Sequence, residues 1–416
     1  MTRAPLRWEP STQAALLALV GVAAAAAALA LRDPLLLALA TPSLWVLVTQ
    51  QRGPEPSSVD VTVPTALRLG EGERAELEVE VTVPSPVALL EARVGLPLEV
   101  EGAVSGAGDG RRVVATGALL ALRWGRRRVG PVRVRALGPL GLRRADVDVR
   151  VACDVVVLPR PVEVRASSAP ALLPDRSGEH VSRASGPGVE PVGVRPFAWG
   201  DEARRIDWRA TSRRGALHVT VAAAERSADL VVVVDALSDV GPAGATSLDR
   251  SVRATAGLAN RWLRDRDRVG LVALGDGLTW LTPATGRVQQ LRVADAVLRA
   301  ALPPGHVPLD LTRLPPSVVP AGSVVVVLSP LLRPEVLDAL VALRRRSHRL
   351  LVLDVLDVEP ALPGDPLVDL ALRLWRLDRA ATLDRLRGTG TAVLRLDATA
   401  DGELDRLVAL GLRGVR

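Results

Sequence analysis

Charged and aromatic side chains gather in one stretch near the middle of the chain. The members that can do chemistry are Arg195, Asp201, Arg204, Arg205, Asp207, Trp208 and Arg209. Guanidinium forks bind carboxylates through paired hydrogen bonds and stack on indole rings, so this set predicts a charge-assisted network. The network is either structural, locking two domains together through buried arginine and aspartate pairs, or a surface that binds a partner or a phosphate.

The two aspartates of this stretch have separate expected roles. Asp201 follows a glycine and is predicted to cap a short helix over 202–207, because a carboxylate accepts a hydrogen bond from a free backbone N–H at a helix start. Six residues separate Asp201 from Asp207, which is not the spacing of neighbours on a helix face. No catalytic carboxylate pair is therefore expected.

The residue types present also limit the kinds of enzyme that the chain can be. All 53 basic residues are arginine, so no lysine is available for a P-loop, a Schiff base or a general base. The four histidines are scattered, and none lies near a candidate nucleophile motif. The single cysteine, Cys153, allows no intrachain disulfide, and no zinc-site spacing occurs. The chain is interpreted as a non-enzymatic protein without catalytic residues.

The net charge of +7 could indicate a nucleic-acid partner. The arginine clusters, such as 126–128 and 344–346, lack the interleaved aromatic residues that stack on bases, apart from Trp124 beside the first. The composition, rich in Ala, Arg, Val, Leu and Pro without lysine or tyrosine, is also typical of a GC-rich coding bias. No nucleic-acid partner is expected.

The first 52 residues predict a membrane hairpin. Eighteen uncharged, mostly apolar residues at 14–31 form about 27 Å of helix, which approaches the thickness of a bilayer core. A second apolar run at 35–50 follows a tight turn. Arginines flank the outer ends of the hairpin, so the positive-inside rule predicts a multi-pass cell-membrane protein with its soluble domains in the cytoplasm. A cleaved signal peptide is the alternative, since the same pattern satisfies its three-part signature.

The next part of the chain predicts a β-rich domain. Over 53–165, roughly eight short segments alternate apolar and polar residues, which indicates an antiparallel β-sandwich of immunoglobulin-like type. Three glycines at 105–110 predict a flexible loop within it. Residues 166–228 are interpreted as a linker followed by the charged stretch, with the Ser/Pro/Gly-rich part at 165–192 as a surface excursion without regular structure.

The last part, 229–416, predicts a doubly wound α/β domain. The predicted strands are 229–235, 268–274, 323–328, 350–354 and 392–396, and the predicted helices are 248–265, 288–300, 334–346, 377–387 and 403–412. Strands that alternate with helices indicate a parallel sheet.

The run Arg195-Pro-Phe-Ala-Trp-Gly-Asp-Glu-Ala-Arg-Arg-Ile-Asp-Trp-Arg-Ala-Thr-Ser-Arg213 resembles the signature of a bacterial family of unknown function, DUF58. The family pattern is R-x-Y/F-x-x-G-D-x-x-R-x-I-D-W-x-A-x-A-R, and Ser212 stands where it has alanine. The resemblance implies a membrane protein whose α/β domain is von Willebrand factor A-like. It also implies partnership with MoxR-type AAA+ ATPases, in which the chain is an adaptor or scaffold for assembly or maturation of an unidentified client protein.

In a von Willebrand factor A domain, the loop after the first α/β strand is where a metal site would lie. An intact metal-ion-dependent adhesion site has Asp-x-Ser-x-Ser there, whose oxygens hold Mg²⁺. This chain has Asp235-Ala-Leu-Ser-Asp239, and Ser329 follows the central strand. No metal is expected; a degenerate site would use Asp235, Asp239 and Ser329. A metal-dependent adhesion-like module and an uncharacterised enzyme are the alternative functions.

Overall fold

The computed structural model describes residues 1–50, 55–163, 180–199, 201–203, 206–226, 229–275, 277–299, 314–345, 349–356, 366–396 and 404. The chain divides into two compact units, Met1–Leu158 and Pro159–Arg416. The predicted hairpin and the predicted sandwich therefore belong to the same unit.

The chain begins with two short strands and two apolar helices: β1 (Thr2–Pro5), β2 (Glu9–Pro10), α1 (Thr12–Leu31) and α2 (Leu35–Gln50). The Ser11 hydroxyl caps α1 by accepting from the Ala14 N–H at 3.2 Å, and Arg32 ends it in a left-handed conformation. Among the helices that the structure describes, α1 is the one long and apolar enough to cross a membrane. Membrane association through one helix is supported, and a second span through the 16-residue α2 stays a prediction.

The segment before α1 joins the sheet that follows α2, an arrangement that the sequence did not indicate. Strand β1 pairs antiparallel with β3 (Ser58–Thr62), and Arg3 binds both oxygens of Asp60 at 2.8 and 2.9 Å. The indole N–H of Trp8 donates to the Pro56 carbonyl at 2.9 Å. The residues on either side of the two helices are thus fastened to each other.

The rest of the first unit is a two-sheet structure. Its remaining strands are β4 (Ala66–Gly70), β5 (Arg74–Val94), β6 (Val100–Gly102), β7 (Ser105–Ala121), β8 (Gly125–Val129), β9 (Val132–Leu137), β10 (Arg143–Val149) and β11 (Cys153–Leu158). One sheet has the order β1-β3-β5-β9-β10-β2 with β7 and β6 attached to β5, and the other has the order β4-β11-β8. Both sheets contribute alternate apolar residues to one core.

Two predictions for this unit were wrong in part. The second sheet is not wholly antiparallel, because β11 pairs parallel with β4. The glycines at 105–110, predicted as a flexible loop, lie in β7 opposite β5, with Gly106 beside Ala92. A Cβ at Gly106 would come within 2.5 Å of the Val114 carbonyl oxygen, so close backbone approach and not flexibility accounts for this glycine.

The second unit opens with a β-hairpin. Strand β12 (His180–Pro196) pairs antiparallel with β13 (His218–Arg226), and α3 (Trp208–Arg214) lies in the connection between them. The interpretation of 165–192 as an excursion without regular structure was therefore wrong for 180–192, and 164–179 lie outside the described residues. Pairing with β13, which is more than 20 residues away, decides the strand conformation of β12.

The α/β part consists of β14 (Asp229–Asp235), α4 (Ser247–Arg264), β15 (Arg268–Gly275), β16 (Gly277–Ala284), α5 (Gly286–Leu298), β17 (Val324–Ser329), α6 (Pro334–Arg345), β18 (Arg349–Asp354), α7 (Pro366–Gly388) and β19 (Ala392–Arg395). The sheet order is β16-β15-β14-β17-β18-β19, and each neighbouring pair is parallel except β15 with β16. The helix predicted at 403–412 lies outside the described residues apart from Leu404.

Every residue of β14 is buried, which means that both faces of this strand are covered. Strand order reverses between β14 and β17: the chain runs from β14 towards β16 on one side, then from β17 towards β19 on the other. In open α/β sheets, the crevice at the carboxyl ends of such a pair is where ligands bind. Asp235 ends β14 and Ser329 ends β17, so both lie at this point.

Candidate functional site

The charged stretch predicted from the sequence is the connection between β12 and β13, residues 197–217, together with the ends of both strands. The connection is closed at its base, where the Phe197 N–H donates to the Leu217 carbonyl at 2.9 Å. Arg195, at the end of β12, donates to both carboxylate oxygens of Asp201 at 2.6 and 2.7 Å. The Arg195 guanidinium in turn has a raised pKa, chiefly through this hydrogen bond. Arg195 and Asp201, two members of the predicted network, therefore form an ion pair.

The cap predicted for Asp201 stays a prediction, because residues 204 and 205 of the helix expected over 202–207 lie outside the described residues. The Asp201 carboxylate accepts from the N–H of Ala198, which precedes it, at 2.8 Å. The helix of this region is α3, and its cap is Asp207, which accepts from the N–H groups of Arg209 and Ala210 at 3.0 and 2.9 Å. Just before this cap, Ile206 forms an isolated antiparallel bridge with Val219.

Most of the described side chains in the charged stretch are exposed. The Arg195 side chain is 47% exposed and Asp201 is 19% exposed. Trp208 is 68% exposed, Arg209 is also exposed, and Trp199 is fully exposed. Both interpretations of this stretch, the structural network and the binding surface, stay predictions. Arg204 and Arg205 lie outside the described residues.

Trp199 was missed as a member of this surface. Its exposure could have been predicted, because a large apolar tryptophan in the connection between β12 and β13 has few neighbours that could bury it. Large apolar side chains exposed together mark contact surfaces more often than single ones do. We name Arg195, Trp199, Asp201, Trp208 and Arg209 the signature surface.

The second candidate site lies where strand order reverses. The Ser329 hydroxyl donates to Asp235 Oδ2 at 2.5 Å, and the Leu237 N–H donates to Asp235 Oδ1 at 3.0 Å. The same hydroxyl accepts from the Leu331 N–H at 2.9 Å. Asp235 and Ser329 are both fully buried. Burial raises the pKa of Asp235, while Ser329, the Leu237 N–H and Arg333 oppose the change.

The third residue of the predicted degenerate metal site is used elsewhere. Asp239 Oδ1 accepts from the Leu248 N–H at 3.0 Å and from the Ser247 hydroxyl at 3.4 Å, in the first turn of α4. Ser238 lies one position away from a serine of the intact metal-site pattern, and its hydroxyl accepts from Arg333 Nε at 3.3 Å. Asp235 and Ser329 are brought together and remain two oxygen ligands that already satisfy each other. Within the described ranges, no three His, Cys, Asp or Glu side chains form a group that fits a metal ion.

An ion pair at the end of β18 was not predicted. Arg379 of α7 donates to both oxygens of Asp354 at 2.6 Å and to the Pro330 carbonyl at 2.8 Å. Its side chain is 14% exposed and that of Asp354 is 9% exposed. Burial raises the pKa of Asp354 and Arg379 opposes it. The position of Asp354 at the carboxyl end of a parallel strand was the available signal, but no local spacing joins it to Arg379.

Part of the chain is similar to known proteins. Residues 193–372 match the model of a protein of unknown function, DUF58. Uncharacterized proteins of Mycobacterium tuberculosis and Mycobacterium bovis are 33% identical over 137 residues, which is 32% of this chain and 43% of theirs. The chain therefore matches less than half the length of these curated relatives. The predicted resemblance to DUF58 is therefore supported for residues 193–372, and membership of the whole chain stays a prediction.

One solved structure is similar over a short stretch. It is the CARDB domain of a Pyrococcus furiosus protein in complex with di-metal ions, 19% identical, covering 22% of this chain and 84% of that one. The TM-score is 0.13, which is too low to inform the fold.

Proposed function

We propose that this DUF58 protein is a non-enzymatic, membrane-anchored adaptor or scaffold. It works with a MoxR-type AAA+ ATPase in the assembly or maturation of a client protein, and its α/β part is a von Willebrand factor A-like domain. The observation that carries the proposal is the exposure of the signature surface on a braced connection.

The composition of the signature surface fits protein contact. Tryptophan and arginine dominate the energy of protein interfaces when their partners bury them, and Trp199 and Trp208 are both open to solvent. The connection that presents them is held by several bonds, among them the bond from the His218 N–H to the Thr211 hydroxyl at 3.0 Å. A rigid presentation lowers the entropy lost on binding, which favours affinity.

The contacts of the N-terminal segment support a hairpin with both ends on one side of the membrane. Residues before α1 and after α2 lie in the same sheet, joined by the β1–β3 pairing and the Arg3–Asp60 ion pair. Removal of a signal peptide would take β1 out of the sheet, which argues against the cleaved alternative. Together with the flanking arginines, this arrangement supports placement of the sandwich and the α/β part in the cytoplasm.

The sheet order supports the von Willebrand factor A-like assignment, with β16 as an antiparallel edge of an otherwise parallel sheet over the described strands. The use of Asp239 at the start of α4 argues against metal-dependent adhesion, because that carboxylate is already engaged by the helix. Partner binding without resident Mg²⁺ is the proposed mode.

The test is an association measurement between the full-length protein in detergent and a MoxR-type AAA+ ATPase from the same organism, with and without ATP and Mg²⁺. Trp208→Ala and Trp199→Ala are compared with Trp280→Ala, an exposed tryptophan on the β16 edge that is 39% exposed. We expect binding to weaken at least about tenfold in the first two variants, as interface tryptophans commonly contribute 2 kcal/mol or more, and to stay unchanged in the control.

Three results would overturn the proposal. Absence of association under every nucleotide condition would exclude the ATPase as the direct partner. Equal weakening by Trp280→Ala would show that the signature surface is not the contact. Hydrolysis or transfer activity of the protein alone would exclude the non-enzymatic role.

A further inference from the structure

The turn between β9 and β10 carries exposed apolar side chains at its tip. The turn is a short 3-10 helix, Pro139–Gly141. The Leu140 side chain is 59% exposed and Pro139 beside it is exposed, whereas the next leucine, Leu142, is buried in the unit. We name Pro139 and Leu140 the turn tip. Its leucine contributes little to the core of the first unit.

The backbone of the turn tip is unfavourable for leucine. Leu140 has a φ of 56° and a ψ of 12°, which lie in the left-handed region. Glycine and asparagine adopt this region readily, and a leucine there is strained by its Cβ. Either residue would form the same turn with less strain. The turn therefore gives no reason for an exposed leucine, and a contact outside the fold gives one.

The turn tip lies beside the first turn of α1. The Ser11 N–H, at the cap of α1, donates to the Leu142 carbonyl at 2.8 Å. A Cβ built on Gly141 would lie 3.2 Å from Gln13 Oε1, in the first turn of that helix. Strands β2 and β10 pair antiparallel, β2 leads into α1, and β10 follows the turn. The turn and the start of α1 therefore project from the same end of the sheet.

The helix beside the turn tip indicates what covers the leucine. Helix α1 is long and apolar enough to cross a membrane. Its exposed apolar side chains begin one turn further on, with Leu16, Leu19 and Val20, each more than half exposed. In a bilayer, such side chains contact acyl chains. The turn tip lies at the level where this apolar surface begins, which corresponds to the boundary between headgroups and acyl chains.

We propose that the turn tip docks on the bilayer surface, with the Leu140 side chain inserted among the acyl chains beside α1. The contact attaches the first unit to the membrane at a second point and so fixes how the end of its sheet faces the lipid. It rests on the membrane anchor of the proposed function and is independent of the ATPase partner.

The experiment measures contact between lipid and a fluorescent label. The full-length protein in a Cys153→Ser background carries one nitrobenzoxadiazole-labelled cysteine and is reconstituted in vesicles of phosphatidylcholine and phosphatidylglycerol. Bromine on the acyl chains near the headgroups quenches labels that contact lipid. The labelled positions are Pro139 in the turn tip, Leu19 in α1, and Leu98, which is 96% exposed and follows β5 at the end of β9 away from the turn.

We expect brominated lipid to quench the labels at 139 and 19 and to leave the label at 98 unchanged. Leu140→Asn keeps a residue that tolerates the left-handed backbone and removes the apolar side chain. With the label at 139, the ratio of docked to undocked protein should then fall roughly tenfold or more, the factor that burial of a leucine contributes. Leu122→Asn, at a leucine that is 47% exposed, is the matched control and should leave quenching at 139 unchanged.

Quenching at 139 no greater than at 98, with the label at 19 quenched, would overturn the docking and leave the anchor intact. A label at 19 that lipid does not quench would overturn the anchor and the docking together. A label at 139 that is shielded from aqueous iodide without quenching by lipid would show a protein occupant and overturn the lipid contact. Quenching at 139 that survives Leu140→Asn would overturn the role of the leucine.

Thermal unfolding in detergent separates lost docking from misfolding. The melting temperature of each variant should not fall by more than about 2 °C relative to the Cys153→Ser parent, because every position changed in the soluble part is exposed.

Discussion

The hydrogen bond between Ser329 and Asp235 connects two strands at the reversal of the sheet, and Ser329→Ala measures what it contributes. The replacement removes the donor to Asp235 Oδ2 and the acceptor of the Leu331 N–H. The Asp235 carboxylate and the Leu331 N–H cannot bind water instead, because Asp235 is fully buried and Leu331 is nearly so. Asp235 keeps its bond from the Leu237 N–H.

A hydrogen bond to a charged group contributes about 1.5–3 kcal/mol, and a buried group left without a partner costs about 1–3 kcal/mol. We expect Ser329→Ala to lower the free energy of unfolding of the second unit by roughly 2–3 kcal/mol. For a domain of this size, each kcal/mol shifts the melting temperature by about 2–4 °C. The melting temperature should therefore fall by roughly 4–12 °C.

The assay is thermal unfolding of the full-length protein in detergent, followed by circular dichroism and tryptophan fluorescence. Ser238→Ala is the matched control, since its hydroxyl accepts a longer bond of 3.3 Å from Arg333 at the surface and should change stability by less than about 0.5 kcal/mol. A Ser329→Ala protein that melts together with the wild type and with Ser238→Ala would refute the reasoning, because the bond would then contribute nothing.

Three further predictions concern protonation, the second buried pair and the N-terminal segment. Burial raises the folded-state pKa of Asp235, so its contribution to stability is complete below its unfolded pKa of about 3.9 and is lost as pH rises through the folded pKa. The stability of the wild type relative to Asp235→Asn should decline over that window in melting curves recorded against pH, and a constant difference would contradict the raised pKa. Arg379→Gln leaves the nearly buried Asp354 without its bidentate partner, so we expect it to destabilise the protein by roughly 3–5 kcal/mol. Arg387→Gln breaks only an exposed ion pair and should destabilise the protein by at most about 1 kcal/mol. Equal melting temperatures of the two variants would contradict this ranking. In a Cys153→Ser background, cysteines placed at the exposed Arg7 and Ser57 should react with an impermeant thiol reagent from the same side of the membrane, and labelling from opposite sides would contradict the β1–β3 pairing.

Local patterns in the sequence predicted most elements of the α/β part, although strand β16 was not predicted. The apolar run of β14 and the helical periodicity of α4 are set by residues close together in the chain, and both elements lie within one or two residues of the prediction. The start of α7 was placed eleven residues too late, because its first half carries leucines all round and lacks the one-sided pattern of a surface helix.

Strand pairing could not be derived in the same way. Two of the short segments predicted within the β-rich domain are parts of one long strand, β5, which pairs with β7 through an irregular register. Strand β1 has no apolar alternation of its own, and it forms because β3, beyond both helices, offers it an edge. Such pairings depend on contacts between segments that are far apart in the chain, and a local sequence pattern does not show which distant segments meet.

The same distinction between local patterns and distant contacts applies to the candidate sites. Residue types and neighbouring positions were enough to locate the signature segment and to place Asp235 at a strand end. Only the tertiary structure decided that the described signature side chains are exposed, that Ser329 meets Asp235 from 94 residues away, and that Arg379 closes on Asp354 beside other arginines. Burial and the meeting of distant side chains follow from how the strands order in the sheet, and that order is a property of the whole fold.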